Sequence, residues 1–310
     1  MNELDTTTMS APEEPGRAAR FFHHPFVVLI LATIVTVIVS GLLLFGFSVL
    51  VPTVAERIYA LAPLGGVLVA MSTVVAALDR PLREQGFRPP VAKPLLVGAA
   101  LGVAILGLSW AVIVLAGGYE VDGVIAPLPV DFALNLSLFA AVAIWEELYF
   151  RGVVLRLLED WLGTWAALGI SALFFGWVHF DNPNATWFTA TAIAIEAGIL
   201  LGGTFVLTRS LWMPIGLHFT WNVTQGPLLG LAVSGAQFGG IVVTNVQGPQ
   251  WLTGGAFGAE GALPTILLAT AMGVFILVRA YRTDRIVTPR WVRRRARSPG
   301  VKASSSLDRA

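Results

Sequence analysis

The sequence predicts an all-α membrane protein, a bundle of about eight transmembrane helices. Its residues are 55% hydrophobic and only 13% charged, whereas roughly a quarter are charged in an ordinary soluble domain. Apolar runs of about 20 residues, the length that crosses a bilayer, recur between short polar breaks. Both observations indicate that most of the chain is surrounded by lipid and not by water. Because the chain has no cysteine, disulfides, thiolate metal ligands and a cysteine nucleophile are excluded.

Eight apolar runs are interpreted as spans. They cover approximately residues 26–51, 58–78, 94–116, 132–158, 165–180, 186–208, 211–230 and 263–281. The first run is too long for the apolar core of a cleaved signal peptide, so we expect it to remain as a span. The predicted organisation is a polar N-terminal segment (1–25), a helical bundle (26–281) and a basic, disordered cytoplasmic tail (282–310).

The basic residues of the connections alternate from one side of the predicted bundle to the other. They occur after the second span, near Arg156 after the fourth, and at Arg209 after the sixth. No Lys or Arg occurs in the connections 117–131, 181–185 and 231–262. Since Lys and Arg in short connections favour the cytoplasmic side, both termini are expected in the cytoplasm; Arg57 is the exception to the pattern. This predicts a multi-pass protein of the plasma membrane.

The segment after Val278 contains half of the 20 Lys and Arg residues of the chain. Such a cluster fixes orientation and attracts anionic lipid head groups. No aromatic-rich or folded module accompanies these charges, so a nucleic-acid partner is not expected.

Ionisable residues within apolar spans are costly and are therefore candidates for function. Consecutive helical residues point about 100° apart, so Glu146 and Glu147 are expected to have different roles. Glu147 precedes Arg151 by four residues, the favourable order for an ion pair on one helix face. Glu146 has no such partner in its own helix, which makes it a candidate general base or acid.

Two histidines, His179 and His218, lie in or at the end of apolar helices. Asn222 follows His218 by four residues, so both side chains share one face. Backbone N–H groups inside a helix are already bonded, and an oxyanion there must be stabilised by side chains of this kind. A base with an orienting histidine and nearby donors makes a hydrolytic site. Glu196 also lies within a span, where structural pairing and substrate contact remain open alternatives.

Three motifs in this order carry a family resemblance. They are Glu146-Glu147-x-x-x-Arg151, Phe175-x-x-x-His179 and His218-x-x-x-Asn222, on three separate hydrophobic helices. They resemble the motifs of the CAAX-protease and bacteriocin-processing family, which includes the type II CAAX prenyl endopeptidases. The resemblance covers roughly residues 132–230, interpreted as the catalytic core. It implies an intramembrane endopeptidase whose substrate is a membrane-associated peptide or protein.

The resemblance also implies a role for each motif residue. Glu146 and His179 would activate water, and His218 and Asn222 would stabilise the oxyanion. The acidic and basic residues that remain, Glu147 and Arg151, would form a structural ion pair.

Zinc is a rival to a mechanism without a cofactor. Glu146, His179 and His218 could ligate zinc and leave a position for water. The His-Glu-x-x-His arrangement of zinc peptidases is absent, so we favour the metal-free glutamate mechanism.

Two other classes of function are compatible with the same residues. One is a noncatalytic family member that acts as an immunity factor or membrane scaffold. The other is a proton-coupled carrier, in which Glu146, His179 and His218 relay protons. Hydrolysis needs a base, a water and oxyanion donors within hydrogen-bond reach, whereas a relay needs a continuous polar path across the membrane.

Overall fold

The computed structural model describes residue 21 and residues 24–50, 61–78, 86–125 and 131–297. Several predicted features lie outside the described residues: almost all of the polar N-terminal segment, the basic residues 57, 80 and 83, and the tail from residue 298. The described part is mainly helical, which confirms the predicted dominance of α-helix.

The helices are numbered here in chain order. They are α1 (Pro25–Leu50), α2 (Leu61–Leu78), α3 (Ala92–Leu115), α4 (Phe132–Glu147), α5 (Arg156–Leu162), α6 (Thr164–Val178), α7 (Trp187–Thr208), α8 (Trp212–Val223), α9 (Gln250–Thr253), α10 (Leu263–Arg282) and α11 (Arg290–Arg297). Four of the described helices, α1, α3, α7 and α10, are long and apolar enough to cross a membrane. The count of eight spans and the orientation of the termini stay predictions.

A π-helical segment, Leu148–Leu155, joins α4 to α5 without leaving helical backbone angles. The segment begins directly after Glu146 and Glu147 and contains Arg151. Wide helical turns of this type occur often at functional sites. A second π-helical segment, Thr224–Leu228, follows α8 directly after the His218 and Asn222 motif.

Two of the connections pair as a small antiparallel sheet, which the all-α prediction does not include. Its strands are β1 (Tyr119–Val124) and β2 (Val242–Val246), with Tyr119 opposite Val246 and Val124 opposite Val242. The Tyr119 hydroxyl donates to the carbonyl oxygen of Thr253 at 2.6 Å. The sheet therefore ties the connection after α3 to the connection between α8 and α10.

The helices that carry the three motifs pack against other helices of the bundle. Helix α8 packs along α3, and α7 packs between α6 and α10. Of the four helices that could cross a membrane, α7 has the largest share of buried residues. Helix α1 instead exposes large apolar side chains, including Val37, Leu42 and Phe45, as a lipid-facing helix requires.

The described part of the basic tail contacts the connection between α5 and α6 and the end of α5, and the predicted disorder of residues 282–310 stays a prediction. Thr164 N–H donates to the Val287 carbonyl at 2.9 Å, and Val287 N–H donates to the Thr164 hydroxyl at 2.8 Å. Helix α11 follows, and Arg293 donates to the Asp160 carbonyl at 2.7 Å. These partners lie more than 120 residues away along the chain, so no local sequence pattern could indicate them.

Candidate active site

Polar residues of several apolar helices line one cavity of about 340 Å³. Its walls include all four predicted catalytic residues and two further carboxylates: Glu146, His179, His218, Asn222, Glu196 and Glu260. The first four come from α4, the end of α6, and α8. Helix packing therefore brings together side chains that lie up to 76 residues apart in the sequence.

The pair of Glu147 and Arg151 lies beside this cavity, completely within the protein. Arg151 Nη1 lies 2.7 Å from Glu147 Oε1, and the two side chains are 2% and 0% exposed. Arg151 Nη2 donates to the Ala197 carbonyl at 2.8 Å, and the guanidinium carbon lies 4.7 Å from the centre of the Phe175 ring. The guanidinium thus joins α7 and α6 to the π-helical segment, in addition to balancing a buried carboxylate.

Glu147 has a second partner that sequence spacing did not predict. Its Oε1 lies 2.9 Å from Nδ1 of His218. Because this oxygen already accepts from Arg151, Nδ1 is the nitrogen that carries the proton and donates. The contact fixes the imidazole ring and directs Nε2 away from Glu147.

His218 and Glu146 approach each other across a short gap. Nε2 of His218 lies 3.9 Å from Oε2 of Glu146, too far for a direct hydrogen bond but close enough for one bridging oxygen atom. Among the described residues, Oε2 of Glu146 has no hydrogen-bond partner although it is buried. A buried carboxylate oxygen in this state is available to a water or a substrate.

His179 lies where α6 gives way to a turn of 3₁₀-helix, His179–Asp181. Its Nδ1 is 2.7 Å from the Phe175 carbonyl oxygen. Since a carbonyl can only accept, Nδ1 carries the proton and Nε2 of the neutral ring is an acceptor. The Phe175 ring, with its centre 4.5 Å from that of the imidazole, packs against the histidine on one side.

Asn222 lies one turn beyond His218 on α8, and it is 5% exposed. Both residues line the cavity. A carboxamide at this position can donate two N–H bonds. His218 and Asn222 therefore present donors from one helix face, as their spacing of four predicted.

A segment of the connection after α8 closes over the same cavity. Ser234 and Gly235 both have positive φ angles, 46° and 88°. A Cβ atom on Gly235 would lie 1.7 Å from the Pro183 carbonyl oxygen, so only glycine permits this close approach. The turn thereby presses the connection against the start of the α6–α7 loop, and both Ser234 and Pro183 line the cavity.

Glu260 holds this turn in place and was missed in the sequence. Its Oε2 accepts from the Ser234 N–H at 2.6 Å and from the Ser234 hydroxyl at 3.0 Å. Burial raises the pKa of Glu260 above its usual range, although these two donors act in the opposite direction. Because Glu260 lies beyond the motif region, in the loop 231–262, only its charge within an otherwise uncharged loop could have indicated it.

The zinc alternative concerns Glu146, His179 and His218. Among the described residues, no group of three or more His, Asp or Glu side chains is close enough together to hold a metal ion. Nδ1 of His179 and Nδ1 of His218 are engaged by Phe175 and Glu147, which leaves Nε2 of both rings available. Metal-ligating histidines are oriented by contacts of the same kind, so the choice between zinc and the metal-free mechanism stays a prediction.

A carboxylate, two imidazoles and a carboxamide around one cavity form an arrangement typical of hydrolytic sites. The carboxylate is the candidate base, and His218 and Asn222 are the candidate oxyanion donors.

Residues 128–224 match a protein-family model described as "Type II CAAX prenyl endopeptidase Rce1-like". The matched segment extends from just before α4 to the first residue of the second π-helical segment, and it contains all three motifs. The resemblance inferred from the motifs is thereby confirmed for this segment, and it implies a membrane protease. No curated protein and no solved structure gives a significant match to the chain.

Proposed function

We propose that the protein is an intramembrane endopeptidase that hydrolyses a peptide bond in a membrane-associated peptide or protein. The observation that carries this proposal is the convergence of Glu146, His179, His218 and Asn222 on one cavity within apolar helices. The endopeptidase family matched by residues 128–224 supports the same activity.

In this mechanism Glu146 is the general base. Its unpartnered Oε2 takes a proton from water while the water oxygen attacks the peptide carbonyl carbon. His179 orients the same water, for which the acceptor Nε2 is suited because Nδ1 is bonded to Phe175. When the tetrahedral intermediate collapses, the C–N bond breaks and the proton passes to the departing amine.

His218 and Asn222 stabilise the oxyanion that forms from the carbonyl oxygen. Donation from Nε2 of His218 requires the doubly protonated ring, since Nδ1 already donates to Glu147. The carboxylates of Glu146 and Glu147 on either side favour that cation. Arg151 keeps Glu147 charged and in position, so the ion pair acts through His218 and does not touch the substrate.

We further propose that the chain spans the plasma membrane several times with both termini in the cytoplasm. The clustering of basic residues in α11 and its surroundings supports contact with anionic lipid head groups on that side. No cofactor is required in this scheme.

The test begins with finding a substrate, by comparing membrane peptides from cells with and without the protein. Turnover by the purified protein is then measured for Glu146→Gln, which keeps the shape and removes the base. The rate is expected to fall by about 10²–10⁴. Glu120→Gln is the matched control, because Glu120 is an exposed carboxylate on β1 and should leave the rate unchanged.

Two outcomes would overturn this mechanism. Equal rates for Glu146→Gln and the parent would show that Glu146 is not the general base. Loss of activity on chelation, with recovery on addition of zinc, would establish the metal-dependent alternative.

A further inference from the structure

Two buried carboxylates on the cavity wall have no role in the hydrolytic mechanism. Glu196 on α7 and Glu260 in the turn Ala259–Gly261 are 3% and 5% exposed. They lie close enough to interact electrostatically. Oε1 of Glu196 has no hydrogen-bond partner among the described residues, and the side chain lines the cavity. A polar atom buried in this way is costly unless something occupies the space beside it.

The charges of the cavity are unbalanced. Three carboxylates line it, from Glu146, Glu196 and Glu260, but among the described lining residues there is no Lys or Arg. Arg151 is a buried guanidinium five residues after Glu146, but it is already bonded to Glu147 and to the Ala197 carbonyl. Of the two histidines that line the cavity, His218 bonds to Glu147 and His179 interacts electrostatically with Glu260. The positive charge that balances Glu196 must then come from bound protons or from a ligand.

A proton shared between the two carboxylates is the less favoured alternative. Such a pair would be joined by a direct hydrogen bond between its oxygens, as in carboxylate dyads that share a site. Glu260 Oε2 instead accepts from the N–H and the hydroxyl of Ser234, so this oxygen is engaged outside the pair. Oε1 of Glu196 is left without a partner, and the side chain lines the cavity.

We propose that Glu196 and Glu260 form a subsite for a basic side chain, Lys or Arg, that lies near the scissile bond of the substrate. Apolar residues of the same wall, Ile193, Leu200 and Leu201, would contact the methylene stem of that side chain. Its ammonium or guanidinium would donate to the free oxygen of Glu196. This inference rests on the proposed function, because the subsite shares its cavity with Glu146.

The first test measures binding without turnover. The full-length protein in nanodiscs is titrated with Nα-acetyl-lysine N-methylamide and with the norleucine analogue, which lacks the charge. Binding is followed by the fluorescence of the cavity residues Trp145 and Trp221. We expect the parent to bind the lysine probe at least about tenfold more tightly than the norleucine probe, the effect of one charge-assisted hydrogen bond.

Glu196→Gln should abolish this preference and leave norleucine binding unchanged, whereas Glu120→Gln should keep the preference. A second variant, Glu260→Gln, should reduce the preference for the lysine probe, because its amide oxygen can still accept from Ser234 but carries no charge. An equal affinity of the parent for both probes, or a preference that survives in Glu196→Gln, would overturn the subsite. A lower thermal unfolding temperature of Glu196→Gln would also overturn it, since removing an uncompensated buried charge should not destabilise the fold.

A second test uses the substrate found for the proposed function, with each Lys or Arg near the scissile bond replaced by norleucine. The replacement at the subsite position should raise KM for the parent and not for Glu196→Gln. The two proposals fail separately. A chain that binds lysine through Glu196 but cleaves nothing contradicts the endopeptidase, whereas Glu146-dependent cleavage without lysine preference contradicts only the subsite.

Discussion

Glu147 illustrates how much of a residue's role depends on tertiary contacts. Its spacing to Arg151 predicts an ion pair, and these residues lie 2.7 Å apart. The same oxygen also accepts from His218, which is 71 residues away on α8. Helical periodicity relates residues of one helix only, so the second contact could not be predicted. It connects the ion pair to the proposed oxyanion donor.

Replacing Arg151 should destabilise the fold more than it changes the chemistry. Arg151→Ala leaves the Glu147 carboxylate buried without its cation, at a cost of about 3–5 kcal/mol. It also removes the bond to the Ala197 carbonyl and the contact with Phe175. Thermal unfolding in detergent should show a large decrease in stability. Glu147→Gln, combined with Arg151→Ala, should partly restore it, and normal stability of Arg151→Ala alone would contradict the buried pair.

Asn222 provides a separate test of the oxyanion site. Asn222→Ala removes a donor and leaves Glu146 and His179 intact, so turnover should fall by about 10²–10³, the effect of losing one oxyanion donor. The loss should appear in kcat with KM nearly constant, because the interaction forms only in the transition state. Ser137→Ala, at an exposed position of α4, is the control. A decrease confined to KM would assign Asn222 to substrate binding instead.

At the scale of helices and strands, the apolar pattern predicts where helices occur but not how they are interrupted. Every predicted apolar run overlaps one of the described helices. The π-helical segment after Glu147 and the pairing of β1 with β2 were not predicted. Hydropathy does not distinguish a π turn from an α turn, and the strands pair residues that lie more than 100 positions apart. Both features depend on contacts between distant parts of the chain.

Two glycines, Gly98 and Gly198, lie where helices pack closely. A Cβ atom on Gly98 of α3 would lie 2.0 Å from the Met213 carbonyl oxygen on α8, and one on Gly198 would lie 2.1 Å from Cβ of Ala172 on α6. Gly98 and Gly198 are the first residues of two Gly-x-x-x-Gly patterns, in which small side chains let backbones approach. Helix α8 carries His218 and Asn222, so its distance from α3 affects the site.

Gly98→Ala should therefore destabilise the bundle. The new methyl group would clash with backbone, which cannot move as a side chain can, and we expect a cost of about 1–3 kcal/mol. Gly107→Ala on the same helix is the matched control, since nothing lies within 4 Å of a Cβ atom there. The control should be neutral or slightly stabilising through helix propensity. Equal unfolding temperatures for the two variants would contradict the close packing of α3 on α8.

At the scale of the whole molecule, the connections separate into two groups. The sheet end consists of the three connections without Lys or Arg, which are joined by β1–β2 pairing and by the bonds of Gly235 to Phe257 and Asn184. The basic end consists of the connections at residues 86–91, 156–164 and 209–211 together with residues 283–297. Its bonds include the ion pair of Arg209 with Glu159. Charge alone predicted the same division.

The candidate site was predicted from the sequence only where its residues belong to motifs. Glu146, His179 and His218 were identified because ionisable residues are rare in apolar helices, and Asn222 was identified by its spacing of four from His218. Glu260 was not identified, because a single carboxylate in a long connection does not stand out as an ionisable residue does in an apolar helix. Its position at the cavity depends on how the connection folds back over α8, which follows from the turn at residues 234–235. The sheet end thus contributes part of the cavity wall.

The orientation of the two ends can be tested in this cysteine-free chain. We expect the sheet end to lie outside the cell and the basic end in the cytoplasm, since Lys and Arg favour the cytoplasmic side. Gln247→Cys and Thr283→Cys introduce exposed thiols at the sheet end and the basic end. In intact cells a membrane-impermeant maleimide should label Gln247→Cys and should label Thr283→Cys only after permeabilisation. The cysteine-free parent controls for background labelling. The reverse labelling pattern would invert the topology, and equal labelling of both in intact cells would contradict a fixed orientation. Because the cavity includes residues of the sheet end, the expected pattern would also place that part of the cavity wall toward the outside of the cell.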